Sequence, residues 1–429
     1  MRDIIVMGIL FGFACATLWR PWLGVLALAN ISYMSPHAYA WGFALSFPAY
    51  QVQFIIAFVA LCIAKERQAI PADWRVPVFF LLWFFFVITT INAVVPWAAW
   101  PKMIEVSKIY MPFLFTLILI TDREKLFYLI IVIAASFGIV AAKGGLWALA
   151  TGFANRVYGP PGTQFFENNA FAIATVIAIP LLILWYREAT RKWEKLAVLG
   201  SIPLCYCAAI SSWSRGGLLA ISVVTLILLW HSKRKWMVTP LLIVGIYFAI
   251  DYLPEEWFAR METLETYQED ASANARLTVW RDGWNWAVEH PGLGGGFEAW
   301  RYVTISDWHS SYIEILAEHG FFAFFLWFSL LIGSIWTLTQ LPRKTRNVPG
   351  MEWVANYSYM LRASLIAYAV GTVFLGLSYW DIYYHLVFIT VLVRKFALQE
   401  LAEKLGTTNR STASLSGPTM PVYGQPQPK

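Results

Sequence analysis

The sequence predicts an all-α polytopic membrane protein, and three observations predict it. Only 14% of the 429 residues are charged while 59% are hydrophobic. Soluble domains carry about 25% charge, so this chain lacks the polar surface that a water-soluble globule needs. Apolar runs long enough for a ~30 Å hydrocarbon core recur along it. Basic clusters fall in alternate connections between those runs, as the orientation of short cytoplasmic loops requires.

The runs lie at roughly 47–64, 76–95, 104–120, 126–142, 169–186, 195–211, 217–231, 237–252, 311–340, 357–377 and 380–394. The first segment, 4–34, is interrupted by Trp19-Arg20-Pro21, and each half is short for a span. Because the run ends in that triplet and not at a small-residue cleavage site, it reads as an uncleaved first span. The basic clusters are Lys65/Arg67, Arg123/Lys125, Arg187/Arg191/Lys192/Lys195, Lys233/Arg234/Lys235, Arg343/Lys344/Arg346 and Arg394/Lys395. All are cytoplasmic if the N-terminus is cytoplasmic and 4–34 makes one net crossing as a broken or kinked span. The expectation is about twelve transmembrane helices with both termini inside. The net charge of +6 then belongs to loop orientation and not to nucleic acid.

This reading divides the chain into spans one to nine over 1–252, a large periplasmic loop with helices at 253–310, three spans over 311–397, and a Ser/Thr/Pro/Gly/Gln-rich cytoplasmic tail, 398–429, expected to be disordered. A second long periplasmic connection is 143–168. Long loops on a tightly looped bundle usually carry function. Cys15, Cys62, Cys205 and Cys207 lie in apolar segments and read as packing residues.

Four segments could carry chemistry. In Ser211-Ser212-Trp213-Ser214-Arg215-Gly216-Gly217, an arginine sits between two spans, where it either meets an anion or snorkels to headgroups. With Ser214 and glycine-freed N–H groups it could cradle a diphosphate. In Asn274–Trp284, Arg276, Trp280 and Trp284 share a helical face, which suits an interfacial helix with Arg276 aimed at an anionic group. Arg281 points elsewhere, toward Asp282 or lipid. The run His290-Pro291-Gly292-Leu293-Gly294-Gly295-Gly296 lacks the lysine and spacing of a P-loop and reads as a turn that positions its neighbours. In Asp307–Glu314, Ser311 and Glu314 have capping-box spacing, so a helix starts there. That places His309 just before a helix N-terminus, where the dipole disfavours imidazolium and a neutral ring could act as a general base, or simply bond at the helix end. Glu105, Glu167, Glu318 and Asp381 are isolated charges in or near spans. No histidine pair or acidic pair has ligand spacing, so neither a metal nor another cofactor is expected.

Taken together, Ser-Trp-Ser-Arg-Gly-Gly at 212–217, Ala-Arg-Leu-x-x-Trp at 275–280, His-Pro-Gly-Leu-Gly-Gly-Gly at 290–296 and His-Ser-Ser-Tyr-Ile-Glu-Ile-Leu-Ala-Glu-His-Gly at 309–320 resemble the O-antigen ligase superfamily, which includes O-antigen polymerases and protein O-glycosylation ligases. The N-terminal 120 residues are similar to those of exosortase-associated ligases. The resemblance implies an integral-membrane glycosyltransferase that takes a glycan from undecaprenyl diphosphate and passes it to a hydroxyl of the lipid A core or of a protein. It implies that Arg215, Arg276 and His309 are the essential residues, and that Phe165-Phe166-Glu167-Asn168-Asn169 matches an Asn-bearing stretch at the mouth of a span. Ser310 departs from the Asn that many members carry after the histidine. Substrate-binding assignments on this reading are Arg215, Arg276, Ser214, Arg281, Asn168, Asn169 and Asp381. The location implied is a bacterial inner membrane with the site facing the periplasm. A transporter or flippase is the alternative from another class, although there is no internal repeat and the candidate residues gather at one face rather than the midplane.

Overall fold

The computed structural model describes residues 1–232, 234–262 and 271–415. Lys233 of one basic cluster and the tail 416–429 lie outside the described residues. Every regular element among those described is helical. They are α1 (Arg2–Trp19), α2 (Trp22–Met34), α3 (Ala49–Ile63), α4 (Arg75–Ile91), α5 (Pro96–Leu119), α6 (Arg123–Ala150), α7 (Asn168–Glu188), α8 (Lys192–Ser211), α9 (Arg215–Trp230), α10 (Lys235–Ile250), α11 (Glu255–Glu262), α12 (Ala271–Glu289), α13 (Trp300–Val303), α14 (Ser311–Thr345), α15 (Glu352–Gly371) and α16 (Asp381–Leu415). Each apolar run falls on one of these helices. α1, α6, α7, α8 and α14 are long and apolar enough to cross a membrane, and five shorter apolar helices accompany them. α7 is the core element, with 78% of its apolar window buried, and it packs against α6, α8, α9 and α15.

The first segment differs from the expected kinked rod. α1 is about 27 Å long at 1.5 Å per residue, yet the carboxylate of Asp3 at its start accepts hydrogen bonds from the N–H groups of Gly42 and Ala44, beyond the end of α2. Val6 and Leu10 of α1 share a buried cluster with Ile31 near the end of α2. α1 and α2 are therefore an antiparallel hairpin. Gly24 permits the close approach, since a Cβ there would lie 2.7 Å from the Thr17 side chain. The Trp-Arg-Pro interruption is a turn, and the chain returns to the side on which it began.

The C-terminal boundary also moves. Order continues past 398, because α16 runs to Leu415. Residues 396–405 are mostly helix formers. Glu400 pairs with Lys404 at 3.0 Å and accepts the Trp353 indole N–H at 2.9 Å, fastening the helix to α15.

α14 is broken at Gly320, whose φ of 74° leaves the helical region. The break frees carbonyls, and the glycine run satisfies them. The N–H groups of Gly295 and Gly296 donate to the carbonyls of Ala317 and Glu318, at 2.9 and 2.7 Å, and Phe321 N–H donates to Pro291 at 3.0 Å. A Cβ at Gly294 would lie 2.6 Å from the Ala317 carbonyl oxygen, so only glycine fits there. The turn expected at 290–296 is thus a clasp around a broken helix.

Candidate active site

The site grows from two chain reversals and one helix that meet on one side of the bundle. In the first, Ser214 is the N-cap of α9, its hydroxyl oxygen accepting from Gly217 N–H at 3.1 Å. That makes Arg215 the first residue of α9, half-buried. Trp213 precedes the cap in the left-handed region, φ 56°, a conformation that costs about 1–3 kcal/mol outside glycine. Its neighbours hold it there. The Trp213 indole donates to the Phe153 carbonyl at 3.1 Å, and Arg260 of α11 donates to the Trp213 carbonyl at 3.0 Å. The Asn168 side-chain amide donates to the Ser212 carbonyl at 2.7 Å, so Asn168 ties the start of α7 to this reversal. Asn169 is half-buried beside it.

The second reversal leads into α14. The helix does begin at Ser311, but not through a capping box. The Ser311 hydroxyl donates to the Leu375 carbonyl at 2.9 Å and accepts from Leu377 N–H at 2.8 Å, and the Glu314 carboxylate accepts from Ser378 N–H at 3.0 Å and from its hydroxyl. A long-range partner, the connection 372–380, has displaced the local motif. His309 stands two residues before Ser311 with φ 49°, half-buried. Behind it, Glu318 accepts from the Trp308 indole at 3.0 Å, from Glu298 N–H at 2.9 Å and from the Tyr379 hydroxyl at 2.6 Å. The buried His319 ring lies between Tyr379 and Thr89 at 2.8 and 2.6 Å. Glu318 thus ties down the loop that carries His309, and His319 braces the Tyr379 that bonds to Glu318.

α12 forms the third side. It packs on α14, and Gly283 permits the approach: a Cβ there would lie 2.5 Å from Ile313 and 2.8 Å from the Trp308 ring. The Trp280 indole donates to the Trp308 carbonyl at 3.0 Å, and its ring is 6.0 Å from Phe374. A Cβ on Gly216 would lie 3.5 Å from the same Phe374 ring. Through Phe374 and Trp280, the segments bearing Arg215, Arg276 and His309 meet. Arg276 lies one turn before Trp280 on α12, half-buried.

Two assigned residues do not join them. Arg281 is 70% exposed and pairs with Asp282 at 3.5 Å, because five residues along a helix turn it well away from the Arg276 face. Asp381 is buried where α16 starts, accepting a hydrogen bond from Ser32 of α2 and lining a small separate cavity with Tyr50 and His385. It fastens α2 to α16.

A cavity of about 640 Å³, within the range of roughly 300–1,000 Å³ usual for ligand sites, opens beside the His309 loop. Among the described residues five carboxylates line it: Glu105, Glu298, Asp307, Glu314 and Glu318. Glu105 and Glu318, isolated charges in the sequence, share this wall, and nothing in their spacing reveals it. Burial pushes the Asp307 carboxyl above its ordinary range, against the opposing pull of the Trp308 N–H and of Lys102. Among the described residues no group of three or more His, Cys, Asp or Glu is placed to hold a metal ion.

Comparison with known families bears directly on this arrangement. Residues 200–328 match the family described as O-Antigen ligase. That match supports membership of the O-antigen ligase superfamily. Residues 1–190 match a family of unknown function, and no curated protein matches the chain. Arg215, Arg276 and His309 all fall in the ligase-family segment. The cavity does not belong to that segment alone: Glu105 and Phe166 come from the N-terminal family, Asp307 and Glu314 from the ligase family, and Gly376 and Trp380 from neither. Membership supports a multi-pass membrane enzyme of ligase or polymerase type acting on lipid-linked glycans.

Proposed function

We propose that this ligase-family enzyme transfers a glycan from undecaprenyl diphosphate to a sugar hydroxyl of the lipid A core, on the periplasmic face of a bacterial inner membrane. The observation that carries the reading is the meeting of the three family motifs through Phe374 and Trp280. Arg215 and Arg276 hold the donor diphosphate and neutralise the charge that grows on it as it leaves. His309, neutral, takes the proton of the acceptor hydroxyl. The acceptor oxygen bonds to the anomeric carbon as the carbon–oxygen bond to the diphosphate breaks, with inversion. Undecaprenyl diphosphate departs as the anion and the proton stays on His309 until solvent removes it.

The membrane arrangement is part of the same proposal. With α1 and α2 as a hairpin, and α3–α10 and α14–α16 as spans, the chain makes one more crossing than the twelve expected. The basic loops remain cytoplasmic, the N-terminus moves to the periplasmic side, and lipids cover the exposed apolar faces.

The test is glycan transfer by the purified chain in detergent, wild type against His309→Ala, with undecaprenyl-diphosphate glycan as donor. Transfer to lipid A core, lost in the variant and inverting by NMR of the product anomer, is the expected result. Transfer only to a protein hydroxyl makes the enzyme an O-glycosylation ligase, and donor elongation makes it an O-antigen polymerase. Flux of donor across vesicles without transfer makes it a flippase. Full activity in His309→Ala sinks the base assignment.

A further inference from the structure

The large cavity holds more carboxylate than the protein itself uses. Among the described residues the two cations that line it are matched, Lys102 with Glu105 at 3.2 Å and Arg301 with Glu298 at 2.9 Å. Glu318 is occupied on both oxygens, as described above. Asp307 and Glu314 remain. Glu314 is only 8% exposed, and both its hydrogen bonds from Ser378 go to Oε2. Among the described residues no hydrogen bond reaches its Oε1. That oxygen and Oδ2 of Asp307 converge on Gly376, where a Cβ would lie 3.3 Å from the first and 3.4 Å from the second. The absence of a side chain at Gly376 keeps both oxygens reachable from the cavity. Phe166, 44% exposed, offers a ring face at the cavity wall.

Two carboxylate oxygens that face the cavity without a protein donor are open to a ligand that supplies one. The ligand must bring hydroxyl donors and an apolar ring face, and must not bring further negative charge. We propose that this cavity is the acceptor-sugar site and that it takes an uncharged, hydroxyl-rich sugar in preference to a phosphorylated or uronic one. The assignment to the acceptor rests on the ligase reading above, because Asp307 sits two residues from the proposed base, whereas the arginines that would hold the donor diphosphate lie on other elements. It narrows that reading: a lipid A core would have to present a stretch free of phosphate here.

The test uses the full chain in detergent, titrated by calorimetry with a neutral gluco-oligosaccharide and with the same compound carrying one phosphomonoester. The parent should bind the neutral form at least about tenfold more tightly, since like charges placed together cost several kcal/mol. Glu314→Gln preserves shape and removes charge, so the discrimination should shrink; Asp307→Asn, at a more exposed position, should do the same if Glu314→Gln proves poorly folded by its melting temperature. Gly376→Ala should weaken neutral binding about tenfold by crowding both oxygens. In transfer assays the neutral oligosaccharide should compete with the acceptor. Competition with the donor instead overturns the acceptor assignment. Equal binding of the two compounds, or discrimination unchanged in both neutralised variants, overturns the sugar preference. These outcomes separate from failure of the ligase reading: transfer that depends on His309 without discrimination sinks this inference alone, and discrimination without any transfer sinks the ligase reading and the acceptor assignment with it, while the preference for a neutral sugar stands.

Discussion

α4 and α14 run side by side in opposite directions, and the two ends of the pair bury charge in opposite ways. At the start of α4, Arg75 is wholly buried and donates to Asp73 at 2.8 Å, Ser334 at 3.1 Å, the Gly333 carbonyl at 2.8 Å and Thr337. Asp73 also takes Arg394 of α16 at 3.0 Å. Nothing is left over, and the cluster is a fastening between α4, α14 and α16. At the other end, where α4 ends and α14 begins, Asp307 and Glu314 keep free acceptors beside a cavity of about 640 Å³. Burial alone therefore does not mark a functional charge. What marks it is capacity that the protein leaves unfilled.

The largest effect should come from the satisfied end. Asp73→Ala leaves the Arg75 guanidinium buried without its carboxylate, a loss of about 3–5 kcal/mol. Thermal unfolding in detergent should show a lower melting temperature, and any lost activity should track the folded fraction. A melting temperature unchanged from the parent would show that the cluster is not a fastening.

At the other end, the effect should fall on chemistry and not on stability. His309→Ala should lower transfer by about 10²–10⁴-fold, the usual range for a general base, with little change in melting temperature. If instead the variant unfolds early while its folded fraction retains full activity, the two ends are of one kind and the contrast fails.

Trp280→Phe is a subtler probe, since it keeps the ring but removes the donor to the Trp308 carbonyl. The cost should be about 1–3 kcal/mol for a carbonyl left unsatisfied. Because that carbonyl adjoins His309, transfer should fall more than stability does. Equal losses in both would make Trp280 an ordinary packing residue.

The smallest effect is in pH dependence. Burial raises the Asp307 pKa, so its neutral form is the one folding favours. Its contribution to stability is full below the ordinary carboxyl range, near about 4, and is lost as pH rises through the raised value. Asp307→Asn lacks this loss, so the variant should gain on the parent as pH climbs from about 4 toward neutrality. Parallel melting curves across that range would show that the Asp307 carboxyl titrates as it does when unfolded.

What was legible, residue by residue, follows the range of the interaction concerned. The helical runs could be read because apolar composition and span length are local properties. The start of α14 at Ser311 could be read too, yet its mechanism could not: the Ser311–Glu314 spacing suggests a capping box, while the actual partners are Leu375, Leu377 and Ser378, some sixty residues away. Trp19-Arg20-Pro21 announces a break, but whether a break is a kink or a reversal depends on what packs against it. Val6, Leu10 and Ile31 decide for reversal. Helical spacing already separates Arg276 from Arg281, but only the packed structure shows that the Trp280 face of α12 lies on α14 and the Trp308 carbonyl.

By itself, then, the sequence determined that the chain is a helical membrane protein, where its helices lie, and which motifs place it with the O-antigen ligases. Each of these depends on composition or on spacing within a few turns. The tertiary structure alone decided that α1 and α2 fold back on one another, that Asp381 answers to Ser32, and that carboxylates as distant as Glu105 and Glu318 face one cavity. Those depend on which surfaces pack. A carboxylate buried in a span carries the same letter in the sequence whether its partners satisfy it or leave an oxygen free, and that difference exists only once the helices have met.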